Sequence, residues 1–236
     1  MVVSHDLKPL VVRAASAIVL LFLVVATWSQ GTPWKEGLSI LIFLTLLSEW
    51  FILCGRVNYF AKKDFKFFGI FVLGFSYILF SAFGFWNLLH DPVYQSLIPS
   101  IMIVLWVVDT SSYILGSFLK GPKLAPNISP KKTWSGFCGG IIVGQLVGYS
   151  LIFTSPIFEH TKAESFIFTF FLPFLAQFGD LIESKVKRIL KVKDSSKLIP
   201  GHGGLLDRLD SALIVFFLWQ IFIMLRYLNI PVGLQQ

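Results

Sequence analysis

Residues 67–87 read FFGIFVLGFSYILFSAFGFWN, a run without a charged side chain. A bilayer core about 30 Å thick takes ~20 such residues as one helix, because lipid offers the backbone no hydrogen-bond partner and a helix satisfies its own. Comparable runs lie at 10–29, 37–54, 97–118, 135–154, 164–182 and 209–229, separated by charged or turn-forming stretches. The chain is 55% hydrophobic and 14% charged, with a mean hydropathy of +0.75, too apolar for a domain that must cover its own surface in water. The expected fold class is therefore all-α, a polytopic bundle of seven transmembrane helices. It forms one continuous membrane domain, with helices 1–3 in residues 1–96 and helices 4–7 with their polar loops in residues 97–236.

The first apolar run follows Lys8 and Arg13, as a signal peptide would. No small-x-small cleavage site closes it after Ala26 and further spans follow, so it reads as an anchoring helix. Cys54 and Cys138 sit at the edges of apolar runs and match neither a metal-binding pair nor a disulfide framework.

A net charge of +7 raises the question of nucleic acid, and the placement of the bases argues against it. Lys8 and Arg13 precede helix 1. Arg56, Lys62, Lys63 and Lys66 lie between helices 2 and 3, and Lys120, Lys123, Lys131 and Lys132 between helices 4 and 5. Lys185, Lys187, Arg188, Lys191, Lys193, Lys197 and Arg208 lie between helices 6 and 7, leaving only Lys35, Lys162 and Arg226 for the other side. The positive-inside rule then makes the N-terminus and these loops cytoplasmic and sends the C-terminus across the membrane. Membrane lipids are the surrounding partner, in a cell (inner) membrane, with the polar site on its cytoplasmic face. Orientation explains the loop at 56–66. It does not explain why the bases at 119–134 and 183–208 are interleaved with Gly, Pro, Ser, Asp and His.

Acids within or at the ends of membrane helices are costly and tend to mark ion or substrate sites. Asp109 is followed by Ser112, Tyr113 and Gly116 at offsets that share one helical face, which is expected to point inward. Interhelical hydrogen bonding accounts for that stripe equally well. Asp180 ends helix 6, and if the helix continues, Ser184, Lys187 and Arg188 share its face. Asp207, Asp210 and Ser211 open helix 7. Helix capping is a sufficient account of Asp210. For Asp180 and Asp207, near one membrane face and among many cations, a divalent metal held together with phosphates is the stronger reading.

Between these acids run Lys193, Asp194, Ser195, Ser196, Lys197 and, further on, Gly201, His202, Gly203 and Gly204. Glycines here let backbone approach a ligand and form an anion-binding nest, while His202 by itself reads equally as a base, a phosphate donor or a plain loop residue. Ser129, Pro130, Lys131, Lys132 and Thr133 pair two lysines with two hydroxyls, a set suited to phosphate, and Trp134 anchors the next helix at the interface. Helix 5 carries Gly136, Gly140, Gly144 and Gly148 at intervals of four, a stripe that admits a closely packed helix of the same chain or of a second copy in a homodimer. Glu49, beside Trp50, snorkels to the interface in the simplest reading.

The stretch from Ser184 to Asp210 resembles the signature of phosphatidate cytidylyltransferases, or CDP-diacylglycerol synthases. It carries Ser184, Val186, Lys187, Arg188, Lys193, Asp194, Ser196, Ile199, Pro200, His202, Gly203, Gly204, Asp207, Arg208 and Asp210. Asp109, Thr110, Tyr113 and Gly116, and the run Ser129 to Gly136, resemble two upstream motifs of the family. Ser112 stands where alanine is expected and Ser135 where glutamate is expected, and the first hundred residues match only in being hydrophobic.

The resemblance implies reaction of CTP with phosphatidic acid to give CDP-diacylglycerol and pyrophosphate, with magnesium as one ion or two. It implies Asp180 and Asp207 as principal metal ligands, supported by Asp210 and Asp109, with Lys187 and Arg188 also catalytic. Substrate binding falls to Ser129, Lys131, Lys132, Thr133, Ser184, Lys193, Asp194, His202, Gly203, Gly204 and Arg208. A transporter would spread polar residues across the membrane depth, whereas these crowd toward one face. The Asp-Gly and Ala-Arg pairs of CDP-alcohol transferases are missing.

Overall fold

The computed structural model describes residues 8–56, 65–92, 94–154, 162–200 and 203–228. Among these it forms seven α-helices, α1 (Lys8–Ser29), α2 (Thr32–Arg56), α3 (Phe65–His90), α4 (Leu97–Leu119), α5 (Trp134–Thr154), α6 (Lys162–Ile189) and α7 (Leu206–Tyr227), and one small hairpin of β1 (Lys123–Ala125) and β2 (Ser129–Thr133). Thr32–Gly55, Phe67–His90, Leu97–Leu119, Trp134–Phe153 and Leu206–Leu225 are each long and apolar enough to cross a bilayer. The all-α polytopic reading holds. Two compact units divide the chain, Met1–Ile78 with Leu190–Leu209, and Leu79–Ile189 with Asp210–Gln236.

In the first unit, Gly31 at a φ of 99° reverses the chain between α1 and α2, a conformation that glycine adopts without steric cost. Lys35 lies over the Trp28 ring, 4.5 Å from its centroid, beside that turn. Trp50 of α2 packs over Gly74 of α3, where any side chain would strike its ring, and its indole N–H donates to the Phe71 carbonyl at 3.1 Å. The segment Leu190–Leu205 completes this unit. It buries Leu190 and Ile199, and Ile199 and Gly203 exchange two main-chain hydrogen bonds of 2.8 and 3.1 Å.

In the second unit, the later turns of α3 lie on α7. Ser81 donates to the Leu213 carbonyl at 2.8 Å, Asn87 donates to Gln220 at 2.7 Å, and Gly84 faces the Phe216 carbonyl with no room for a Cβ. The glycine stripe of α5 is filled within the chain: Gly136 and Gly140 admit Ser112 of α4, Gly144 admits Val108 and Pro173, and Gly148 admits Thr169 of α6. Ser112 and Gly116 thus face α5, but Tyr113 is 77% exposed and Asp109 is also exposed. The stripe expected to point inward is split because the face pressed on α5 is narrower than the arc those four residues subtend.

The hairpin follows from its turn chemistry. Pro126 and Asn127 occupy the central positions of a turn closed by a 3.1 Å bond from the Ile128 amide to the Ala125 carbonyl, and proline is favoured at the first of them. Strand pairing sets Lys123 opposite Thr133 and Ala125 opposite Ser129. Thr133 then caps α5, its hydroxyl accepting the Gly136 amide at 3.2 Å. Ser135, the departure from the family pattern, donates to the Lys120 carbonyl and so ties the end of α4 to the start of α5.

Helix α6 runs past the expected end at 182 to Ile189. Nothing from Leu181 to Ile189 breaks a helix, Glu183 and Lys187 form an i, i+4 pair, and Lys187 and Arg188 complement the carbonyl end of the helix dipole.

Candidate active site

The extension of α6 builds the site, because it adds Glu183 to the helix face that carries Asp180. Gly179 lets α7 press against that face: a Cβ there would lie 2.9 Å from the Asp210 carbonyl and 3.0 Å from the Ser211 α-carbon. The Ser211 hydroxyl fastens the crossing by donating to the Ala176 carbonyl at 3.1 Å. One carboxylate oxygen each from Asp180, Glu183 and Asp210 then lie within 4.8 Å of one another, all three side chains half-buried.

Two ammonium groups neutralise part of this cluster. Lys132 Nζ is 2.5 Å from Asp180 Oδ2, and Lys187 Nζ is 2.6 Å from Glu183 Oε2. Lys132 is delivered by β2, and the hairpin is moored to α6 by Arg188, whose Nε donates to the Ile128 carbonyl at 3.1 Å. Buried Gln177, one turn before Asp180, accepts from Lys132 at 3.3 Å through Oε1 and donates through Nε2 to the Ser112 hydroxyl. Ser184 donates to Asp180 Oδ1 at 3.2 Å. Two lysines and a hydroxyl thus contact two of the three acids, and Gln177 holds Lys132 as well.

Asp207 and its loop form a separate arrangement within the first unit. Asp207 Oδ2 accepts the Ser195 amide at 2.9 Å, the Ser195 hydroxyl at 3.0 Å and the Gly204 amide at 2.9 Å. Its carboxylate, expected as a metal ligand, accepts amide and hydroxyl donors mainly through Oδ2, while Oδ1 has only the shared Ser195 amide at 3.2 Å. Gly203 has a φ of 89°, and a Cβ there would lie 2.8 Å from Asp207 Oδ2. Lys193, Asp194 and Arg208 of this segment are exposed.

The other expected site residues divide clearly. Lys131 is exposed on β2 and Ser129 is half-buried at its start, whereas Thr133 is buried and spent on capping α5. His202 lies outside the described residues. Glu183 and Gln177 were not anticipated. Glu183 falls three residues after Asp180, so extending the helical-face argument by one offset finds it. Gln177 falls three before.

The donor set is entirely hard oxygen, which suits magnesium, and the adjacent ammonium groups suit phosphate oxygens. The sequence profile of the cytidylyltransferase family matches residues 3–226. Among named relatives, the phosphatidate cytidylyltransferase of Rickettsia conorii is 34% identical over 224 residues, 89% of this chain and 91% of its own length. That of Rickettsia typhi is 35% identical over 225 residues, 91% of this chain and 93% of its own. That of Bacillus subtilis is 41% identical over 126 residues, 51% of this chain and 46% of its own. With a family profile that spans nearly the whole sequence and relatives that align over nine-tenths of it, the chain belongs to the cytidylyltransferase family.

Proposed function

We propose that this protein transfers the cytidylyl group of CTP to phosphatidic acid, giving CDP-diacylglycerol and pyrophosphate. The observation that carries the reading is the meeting of Asp180, Glu183 and Asp210 with Lys132 and Lys187, in a chain whose relatives bear the name of that activity. A triphosphate and a phosphomonoester repel each other, so a catalyst that joins them must supply positive charge. Fixed charges placed before the reaction do this at least cost in reorganisation.

The phosphatidate oxygen is already anionic and needs no strong base. It forms a bond to the α-phosphorus of CTP as the bond from that phosphorus to the β-bridging oxygen breaks, and the electron pair leaves on pyrophosphate. Lys132 and Lys187 exchange their carboxylate partners for phosphate oxygens, and Lys131 adds a third ammonium from the same strand. Gln177 and Ser184 keep Lys132 and Asp180 oriented while this happens. Asp180, Glu183 and Asp210 would hold magnesium, with Asp109 adding charge from α4. When bound, the ion neutralises phosphate charge and stabilises the departing pyrophosphate. Lys193 supplies a further cation for phosphate, and Asp207 keeps its segment folded by binding Ser195 and Gly204.

The distribution of basic loops supports a cytoplasmic site in a cell (inner) membrane, where CTP arrives from water and the lipid phosphate waits at headgroup depth. The test is purified protein in detergent micelles with phosphatidate, magnesium and α-labelled CTP. Labelled lipid should appear, and should vanish on chelation or in Asp180→Asn. Label that stays in the aqueous phase with the native protein would refute the assignment.

A further inference from the structure

Glu49 lies in the last third of α2 and is 3% exposed. A carboxylate buried in an apolar helix is costly unless donors surround it, and here they do. Oε1 accepts the Ser196 hydroxyl at 2.5 Å and the Leu205 amide at 3.0 Å, and Oε2 accepts the Leu206 amide at 2.8 Å. Leu205 and Leu206 stand at the start of α7, where main-chain amides have no acceptor inside the helix and a negative group is favoured by the helix dipole. Glu49 is therefore a helix cap contributed by a different helix, and it does not snorkel.

The same segment is gripped from other directions within the unit. Asp207 binds Ser195 and Gly204, and Ser16 of α1 donates to the Pro200 carbonyl at 3.2 Å. Gly204 fits between the two acids with no room to spare: a Cβ there would enter the Ser195 hydroxyl and lie 2.9 Å from both Glu49 oxygens. Lys191, Lys193, Asp194, Lys197, Leu198 and Pro200 are exposed, so apart from buried Leu190 and Ile199 these polar bonds hold the segment.

We infer that Glu49 is a positioning residue for the reaction: by binding Ser196 and the first amides of α7, it fixes the segment that carries Lys193, the lysine assigned above to phosphate. This inference rests on the cytidylyl-transfer reading of that segment. Glutamine in place of Glu49 keeps the size but offers an N–H₂ where an oxygen now accepts, setting donor against donor. Aspartate keeps both acceptor oxygens on a shorter stem.

The experiment uses the full chain in detergent micelles, with CTP kinetics and amide hydrogen exchange measured on the same samples. Glu49→Gln should raise KM for CTP about tenfold, the scale of a lost hydrogen bond to a carboxylate. It should also speed exchange at Leu205 and Leu206 about tenfold or more, with α4 and α5 unchanged. Glu49→Asp should recover most of both effects. Ser196→Ala should shift both readouts in the same direction by less, and should add little to Glu49→Gln, because the two act on one contact. Native exchange and native KM in Glu49→Gln would overturn the inference. So would faster exchange in every helix with a loss of kcat that aspartate does not restore, since that pattern marks a general structural role. Native protein inert toward CTP and phosphatidate would overturn the functional reading and the positioning role together, whereas active native protein with unaltered Glu49→Gln kinetics would overturn only the latter.

Discussion

Replacing Gly140 with alanine strikes the joint where α4, α5 and α6 meet. The added methyl would enter the Ser112 hydroxyl and lie 2.9 Å from Gln177 Nε2 and 3.1 Å from the Val108 carbonyl oxygen. Heavy atoms in contact prefer about 3.5 Å or more, and the Val108 oxygen is main chain and cannot rotate aside. Overpacking of this kind costs about 1–3 kcal/mol. Displacing the Ser112 hydroxyl also breaks its bond to Gln177 and leaves a buried amide donor unpaired, about 1–3 kcal/mol more. The variant should therefore be less stable by about 2–6 kcal/mol. Activity should fall as well, because Gln177 also holds Lys132. Ser112→Ala alone should cost about 1–3 kcal/mol, because it leaves the same buried Gln177 donor unpaired, yet in the Gly140→Ala background it removes the atom most in the way. The double variant should then be more stable than Gly140→Ala alone. Thermal loss of helical circular dichroism in micelles, with labelled lipid product measured beside it, reads both effects. Gly140→Ala melting with the native protein would refute the packing argument, and so would a double variant as unstable as the two single losses added together.

Asp180→Asn and Asp210→Asn should each abolish lipid product while leaving the melting transition in place, and survival of activity in either would remove that acid from the reaction. Glu183→Gln should raise the magnesium concentration needed for half-maximal rate at least tenfold, which a metal titration of the rate measures directly; an unchanged requirement would mean that Glu183 serves only Lys187. Lys132→Ala should lower kcat by about a hundredfold and Lys132→Arg by less, since arginine keeps the charge but changes its shape. Equal losses in both would point to a geometric demand for the ammonium itself. Gly203→Ala must hold alanine at a φ of 89° with its methyl 2.8 Å from Asp207 Oδ2, at a cost of about 1–3 kcal/mol. It should raise KM for CTP and speed exchange at Ser195 and Gly204, and native values of both would show that the loop tolerates the strain.

Hydropathy made the bundle readable, because a lipid-spanning helix must be long, apolar and uninterrupted, and all three properties are visible residue by residue. The end of α6 was not, since Asp180 looks like the boundary of an apolar run whereas the helix follows backbone propensity and continues to Ile189. With that boundary set too early, Glu183 escaped the list of acids sharing a face with Asp180. The hairpin hid for a related reason: only Pro126 and Asn127 mark its turn, and three-residue β1 is too short to show alternation. Among the candidate site residues, Asp180, Ser184, Lys132 and Lys187 meet in one place, and spacing along a helix or attachment to it explains each. Thr133 shows the opposite case, a hydroxyl in a phosphate-like motif whose work is to cap α5.

The acids of this protein differ most informatively in their partners. Glu49 and Asp207 are filled by main-chain amides and serine hydroxyls, donors fixed to the chain and exchangeable only if the loop unfolds. Asp180 and Glu183 are paired with ammonium groups on flexible stems, which can swing to a phosphate without moving the backbone. Asp210 bonds only to its neighbour Ser211 among the hydrogen bonds described. A catalytic carboxylate has to release one partner to take another, whereas a positioning carboxylate has to keep its own. On that criterion Asp207 belongs with Glu49, and Glu183 belongs with Asp180 and Asp210. The division predicts that Asp207→Asn acts through KM for CTP and Asp210→Asn through kcat. The loop holder should show its effect when nucleotide binds, and the cluster acid when the phosphate bond is exchanged. A steady-state comparison of the two variants decides it, and a Asp207→Asn protein with native KM and a collapsed kcat would return Asp207 to the metal site.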